Sequence, residues 1–174
     1  MTKIFAITLL ILTFVVANNA QAKCERYSPP GAGFSVCIPE GWTLQDEKGS
    51  KFKNAVSPAS SGSPANLIFL LDETPLKLKE YVDASNVETL KNPATLGFSS
   101  IKLASRSDFV TDTNEPGVKS VFLETYQGTQ LYAVQYMYDA GKKKLIITFT
   151  TLESAKAVNE KIFDAAVKTL KADH

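Results

Sequence analysis

From Phe34 onward the chain switches between a two-residue and a helical period. Phe34, Val36 and Ile38 fall on one side of an extended segment, and Ser35 and Cys37 on the other. Pro39 ends that segment because it brings no N–H to a ladder. Residues 42–45 and 51–56 read as short extended pieces around a polar turn that contains Gly49. Leu67 to Leu71 is an unbroken apolar run, which predicts a central strand covered on both faces. Thr74-Pro75 opens a helix, Asn92-Pro93 closes it, and Leu78, Tyr81, Val82, Ser85 and Thr89 share one side. Residues 101–110 predict a strand. Three more follow at 118–126, 130–138 and 144–150, joined by connections too short for anything but antiparallel pairing. Residues 152–170 predict a second helix. Its stripe is Val158, Ile162, Ala165, Ala166 and Leu170, widened by Phe163 and Val167, with Thr150 and Glu153 at capping-box spacing.

The strand faces set the architecture. Tyr132, Val134 and Tyr136 lie on one face of the 130–138 strand, and Leu131, Ala133 and Met137 on the other; Leu145, Ile147 and Phe149 oppose Ile146 and Thr148. A sheet apolar on both faces must be covered on both, and the chain offers one helix for each. The expected class is α+β, an α/β/α sandwich: a central, mainly antiparallel sheet with a helix covering each face.

Ahead of this body lies a different pattern. Lys3 precedes an apolar run from Ile4 to Ala17, and Asn18-Asn19-Ala20-Gln21-Ala22 follows with small residues at 20 and 22. That order is a secretory leader cut after Ala22, and the run falls short of the ~20 residues a spanning helix needs. The expected organisation is a cleaved signal peptide, 1–22, and one domain, 23–174, periplasmic or secreted, with no transmembrane segment. Cys24 raises the alternative of a lipid anchor, although Lys23 stands where a lipoprotein needs a small residue.

Composition narrows the chemistry. The formal net charge is +1, and Lys3 leaves with the leader, so nucleic acid is not an expected partner. Cys24 and Cys37 are the two cysteines; after export they meet oxidising conditions, and a structural disulfide is expected rather than a metal or redox pair. The one histidine, His174, is terminal, and no serine-nucleophile or phosphate-binding motif is present. Asp108, Asp112 and Glu115 are loosely spaced turn carboxylates without an EF-hand pattern. Ser57 to Pro64 reads as an exposed loop. No catalytic residue, cofactor or metal site is expected. Tyr132, Tyr136 and Tyr138 share a face by parity, and together with Lys142, Lys143 and Lys144 they make the candidate partner surface; packing beneath a helix is the competing role for the rings.

Gly33-Phe34-Ser35-Val36-Cys37-Ile38-Pro39-Glu40-Gly41-Trp42 resembles the G-F-S-hydrophobic-x-I-P-x-x-W opening of the PsbP-like proteins. Their fold is shared with a Ran-binding nuclear import factor and with bacterial DcrB-like envelope proteins. The order of elements over residues 27 to 171 is similar too. The resemblance implies a non-enzymatic accessory or binding protein, with another envelope protein as partner. Metal contacts of the photosynthetic members use histidine and carboxylates, and none carries over to a chain whose one histidine is His174. A small-molecule carrier, with an enclosed pocket between sheet and helix lined by Tyr132 and Tyr136, is the alternative.

Overall fold

The computed structural model describes residues 24–58 and 64–172; the expected leader, part of the Ser57–Pro64 loop and His174 lie outside them. The strands are β1 (Glu25–Tyr27), β2 (Phe34–Ile38), β3 (Thr43–Gln45), β4 (Asn54–Val56), β5 (Ala65–Glu73), β6 (Ser100–Val110), β7 (Pro116–Tyr126), β8 (Thr129–Ala140), β9 (Lys143–Leu152) and β10 (Lys171–Ala172). The helices are α1 (Leu78–Lys91) and α2 (Lys156–Lys168). Seven strands form one sheet in the order β3-β4-β5-β9-β8-β7-β6, with every neighbouring pair antiparallel. The α+β sandwich is therefore present, with α2 on one face and α1 on the other.

The α2 face holds most of the core. Leu67 and Phe69 from β5, Leu145, Ile147 and Phe149 from β9, and Tyr132, Val134, Tyr136 and Tyr138 from β8 are all buried there. Phe163 of α2 stacks on Phe149 at 4.4 Å, and Trp42 stands edge-on to both at 6.3 Å. Each such ring pair adds about 0.5–1.5 kcal/mol beyond the area it buries. The α1 face is thinner: Val82 meets Val118, Met137 and Ile146, while Leu90 and Phe98 pack on Ile101, Phe122 and Ala133.

The strand expected at 34–38 is present as β2, the middle of a small sheet, β1-β2-β10, laid over the α2 face, which is why all five of its residues are buried. Three expectations need correction. The apolar run in β5 is covered on one side only: Leu67 and Phe69 are buried, whereas Ile68 is 39% and Leu70 57% exposed, because α1 stops short of that edge. Helix α1 begins after Lys77, whose N–H is accepted by the Glu80 carboxylate at 3.2 Å; Thr74-Pro75 makes the turn leading in. The last helix starts at Lys156, since β9 runs through Leu152 and a 3-10 turn takes 153–155, so the Thr150/Glu153 capping box does not form. Its buried side is rotated to Asn159, Phe163, Ala166 and Val167, leaving Val158 68% exposed. Asn159 tolerates burial because its amide donates to Thr151 Oγ1 at 2.7 Å.

Candidate functional site

The residues singled out from the sequence occupy two separate places. Tyr132, Tyr136 and Tyr138 alternate onto the α2 face of β8 and are 6%, 0% and 2% exposed, so they are not a free partner surface. Their hydroxyls face a polar cluster. Lys119 of β7 donates to Glu160 Oε1 at 2.7 Å and Asp164 Oδ1 at 2.9 Å, both on α2, and lies 5.6 Å from the Tyr136 ring centre. The Tyr136 hydroxyl donates to the same Asp164 oxygen. Burial, reinforced by these carboxylates, pushes the Tyr132 and Tyr136 phenols well above their ordinary value. Burial alone would lower the Lys119 ammonium, but its bonds to Glu160 and Asp164 outweigh that and raise it. Burial likewise raises Tyr138, whose hydroxyl has no hydrogen-bond partner among the described residues and whose ring lies against Gly117, where a Cβ would clash with it. The cluster is a clamp that fastens α2 to the sheet.

The lysine run is divided by strand parity. Lys142 is exposed on the turn and Lys143 pairs with Glu73 at 3.0 Å. Lys144 is buried, pairs with Asp139 at 2.7 Å and lies in register between Asp139 and Asp72. It therefore belongs to the interior, not to a cationic surface. Asp108, Asp112 and Glu115 do not converge: Asp108 pairs with Lys79 at 3.4 Å, while Asp112 lines a groove elsewhere. Surface cavities among the described residues include ones of about 740, 570 and 710 Å³, and neither Tyr132 nor Tyr136 lines these. Tyr132 and Tyr136 pack instead within the core cluster beneath α2.

The 740 Å³ groove is the site that sequence reading did not assemble. β1 pairs with β2 in the register Arg26↔Cys37, and Cys24 is bonded to Cys37, with Cα atoms 5.3 Å apart. A cross-link over this span is worth roughly 3 kcal/mol in the chain-entropy account. On the far side of β2, β10 sets Lys171 opposite Ser35. The end of α2 is tied in from above: Cys37 N–H donates to Thr169 Oγ1 at 2.8 Å, and Arg26 Nη1 donates to Ser35 Oγ at 3.1 Å and to the Thr169 carbonyl at 3.2 Å. Asp112 N–H caps the Lys168 carbonyl at 2.8 Å. Small side chains on α2, Ala165 and Ala166, leave space beside Ile162 and Ile38 for an apolar floor. Arg26, Lys168, Lys171, Glu40 and Asp112 edge it, and among the described residues none of these five charges is in an ion pair. Unpaired charge round a rigid apolar floor suits recognition of a complementary surface.

The assembled architecture is the PsbP-like fold. The chain is similar to the solution structure of cyanobacterial PsbP (CyanoP) from Synechocystis sp. PCC 6803, at TM-score 0.65 and 15% identity, over 85% of this chain and 91% of that one. It is similar to LpqN of Mycobacterium tuberculosis, described as involved in cell envelope biogenesis, at TM-score 0.60 and 11% identity, over 81% and 83%. The Saccharomyces cerevisiae Ran-binding protein Mog1p aligns at TM-score 0.55 and 8% identity, over 86% and 95%. No protein-family model and no curated protein sequence matches the chain. Among the described residues, no helix is long and apolar enough to cross a membrane.

Proposed function

We propose that the chain is exported and, after cleavage following Ala22, acts as a non-catalytic accessory protein that recognises another protein of the envelope. The observation that carries this reading is the groove beside the Cys24–Cys37 disulfide. Its walls are fixed by hydrogen bonds from three elements, its floor is apolar, and none of its five rim charges is in an ion pair among the described residues. Such a surface is prepared for a partner at little ordering cost. The disulfide fits an oxidising compartment. Solved structures of the same fold include a Ran-binding protein and a protein involved in cell envelope biogenesis, which is support by analogy.

The test uses the mature chain immobilised and exposed to envelope extract, beside a Lys168→Glu/Lys171→Glu double variant of unchanged thermal stability. The reading expects one recurring protein retained by the wild type and lost by the variant. Repeated capture of nothing, or equal capture by both chains, would overturn it.

A further inference from the structure

We propose that the Cys24–Cys37 bond is a thiol-accepting site, opened by attack at Cys24 with Cys37 as the leaving group, and that its reduction frees β1 from the wall of the groove. This goes beyond partner recognition and requires no partner. It rests on an asymmetry between the two sulfurs. Both line the groove, but Cys24 is exposed just before β1, whereas Cys37 is 6% exposed in the middle strand of the small sheet. An incoming thiolate therefore reaches Cys24 Sγ, and attack on one sulfur of a disulfide expels the other.

The expelled sulfur has a prepared environment. Arg26 Nη2 donates to Cys37 Sγ at 3.7 Å. A guanidinium stays charged at any working pH, and a neighbouring cation stabilises a thiolate. Arg26 has no carboxylate partner among the described residues; its other donors go to neutral oxygens, Ser35 Oγ and the Thr169 carbonyl. Its charge is therefore available to the sulfur. Cys37 is held where it is by its N–H bond to Thr169 Oγ1.

The exchange balances with a dithiol as reductant, the thiol class that reduces protein disulfides. One thiolate of the dithiol attacks Cys24 Sγ; a new S–S bond forms to Cys24, the Cys24–Cys37 bond breaks, and its electron pair stays on Cys37. The second thiolate attacks the dithiol's own sulfur in the mixed disulfide and releases Cys24. The dithiol is oxidised by two electrons and the protein cystine reduced by two. The two protons lost by the dithiol pass to solvent or to the released thiolates, with Cys37 the last to be protonated.

The structural consequence follows from what else holds β1. It pairs with β2 over three residues, Arg26 donates to Ser35 Oγ and to the Thr169 carbonyl, the Tyr27 ring lies 5.3 Å from that of Phe69, and Tyr27 Oη accepts from Lys53 N–H at 2.8 Å; the disulfide is its one covalent cross-link to β2. β2 also pairs with β10 and is buried throughout. Cutting the bond loosens β1, and with it the Cys24 and Arg26 wall of the groove, while β2 and the core beneath remain.

The experiment follows reduction of the oxidised mature chain by dithiothreitol under native conditions, with acid quench, alkylation and mass spectrometry. Wild type, Arg26→Gln and Arg26→Lys are compared, and Trp42 fluorescence reports the fold. The expected result is reduction with the Trp42 signal retained, slowed roughly threefold or more in Arg26→Gln and restored in Arg26→Lys. In a Cys24→Ser chain, the Cys37 thiol should alkylate with a pH midpoint below the ordinary thiol value of about 8.5. Equal reduction rates in all three chains, reduction only with loss of the Trp42 signal, or a Cys37 midpoint at or above the ordinary value would overturn the proposal. The Cys24→Ser measurement keeps the test decisive should Arg26→Gln fail to fold.

Discussion

The two faces of the large sheet are covered by helices of similar length held in different ways. Helix α2 is inserted: Phe163 stacks in an aromatic cluster, and Lys119 ties Glu160 and Asp164 to the sheet. Helix α1 is laid on. Its fully covered residues are Val82 and Asn86, and Asn86 donates to Ser120 Oγ at 3.2 Å while its own Oδ1 has no partner among the described residues. Gln135 Oε1, on the same face of the sheet, is also buried without a partner among the described residues. Other polar ties of α1 are exposed: Arg106 to Asp83 and to the Lys79 carbonyl, Lys79 to Asp108, and the Tyr81 hydroxyl to Asp72; burial, reinforced by that Asp72 bond, pushes Tyr81 up to about 12. Exposed ion pairs contribute about 0–1 kcal/mol each. The α2 side is thus a framework and the α1 side a cover. The groove, the disulfide and the end of α2 all belong to the framework.

The contrast is broken most directly by truncating one anchor on each side. Phe163→Ala should cost about 3–5 kcal/mol in urea unfolding, because a stacked ring is lost and a cavity left, and Val82→Ala about 1–2 kcal/mol. Equal losses would mean that the faces are equally held. The next effect depends on pH. Glu124, on the α1 face, is 8% exposed with no hydrogen-bond or ion-pair partner among the described residues, and burial pushes its carboxyl from 4.5 up to about 7. A raised acid favours the protonated folded chain. Stability should therefore fall as pH rises from about 4.5 and level off above about 7, with a loss of about 2–3 kcal/mol from this group. Glu124→Gln should remove that slope, and a slope that survives the substitution would clear Glu124 of responsibility.

Lys119→Met should cost about 1–2 kcal/mol, less than a fully buried pair, since Glu160 and Asp164 remain about a third exposed. Amide exchange should rise over residues 156–168 in this variant and not over 78–91. The smallest effect is expected at Asn86→Leu. Removal of an unpartnered carbonyl offsets loss of the Ser120 bond, so unfolding should move by less than about 1 kcal/mol. A large destabilisation there would show that the polar row under α1 is a satisfied network and the cover more firmly held than argued.

Much of the fold was legible because long strands and tight turns leave strong local marks. β6 to β9 and both helices lie close to where alternation and turn residues put them. Failures came where a local pattern admits two faces. In α2, two apolar arcs overlap, and burial of Asn159, which needs a long-range bond to Thr151, decides between them. In β5, five apolar residues in a row do not say that Ile68 and Leu70 lie beyond the reach of α1. The tyrosines of β8 carried a real signal, a shared face, but not whether solvent or α2 lies over it. The groove was less legible still. Arg26 and Thr169 are 143 residues apart and meet because β10 and the end of α2 return to β2. The two cysteines were the only local mark of that place, and they pointed to the disulfide without revealing the charges around it.

The most direct test of the account places a photo-reactive side chain at two positions of the protein expressed from its full chain in living cells. One is position 165, exposed on the groove side of α2, and the other position 87, exposed on α1. The account predicts one recurring envelope protein cross-linked from position 165 and none from position 87. Capture from position 87 with none from position 165 would place recognition on the cover and contradict it.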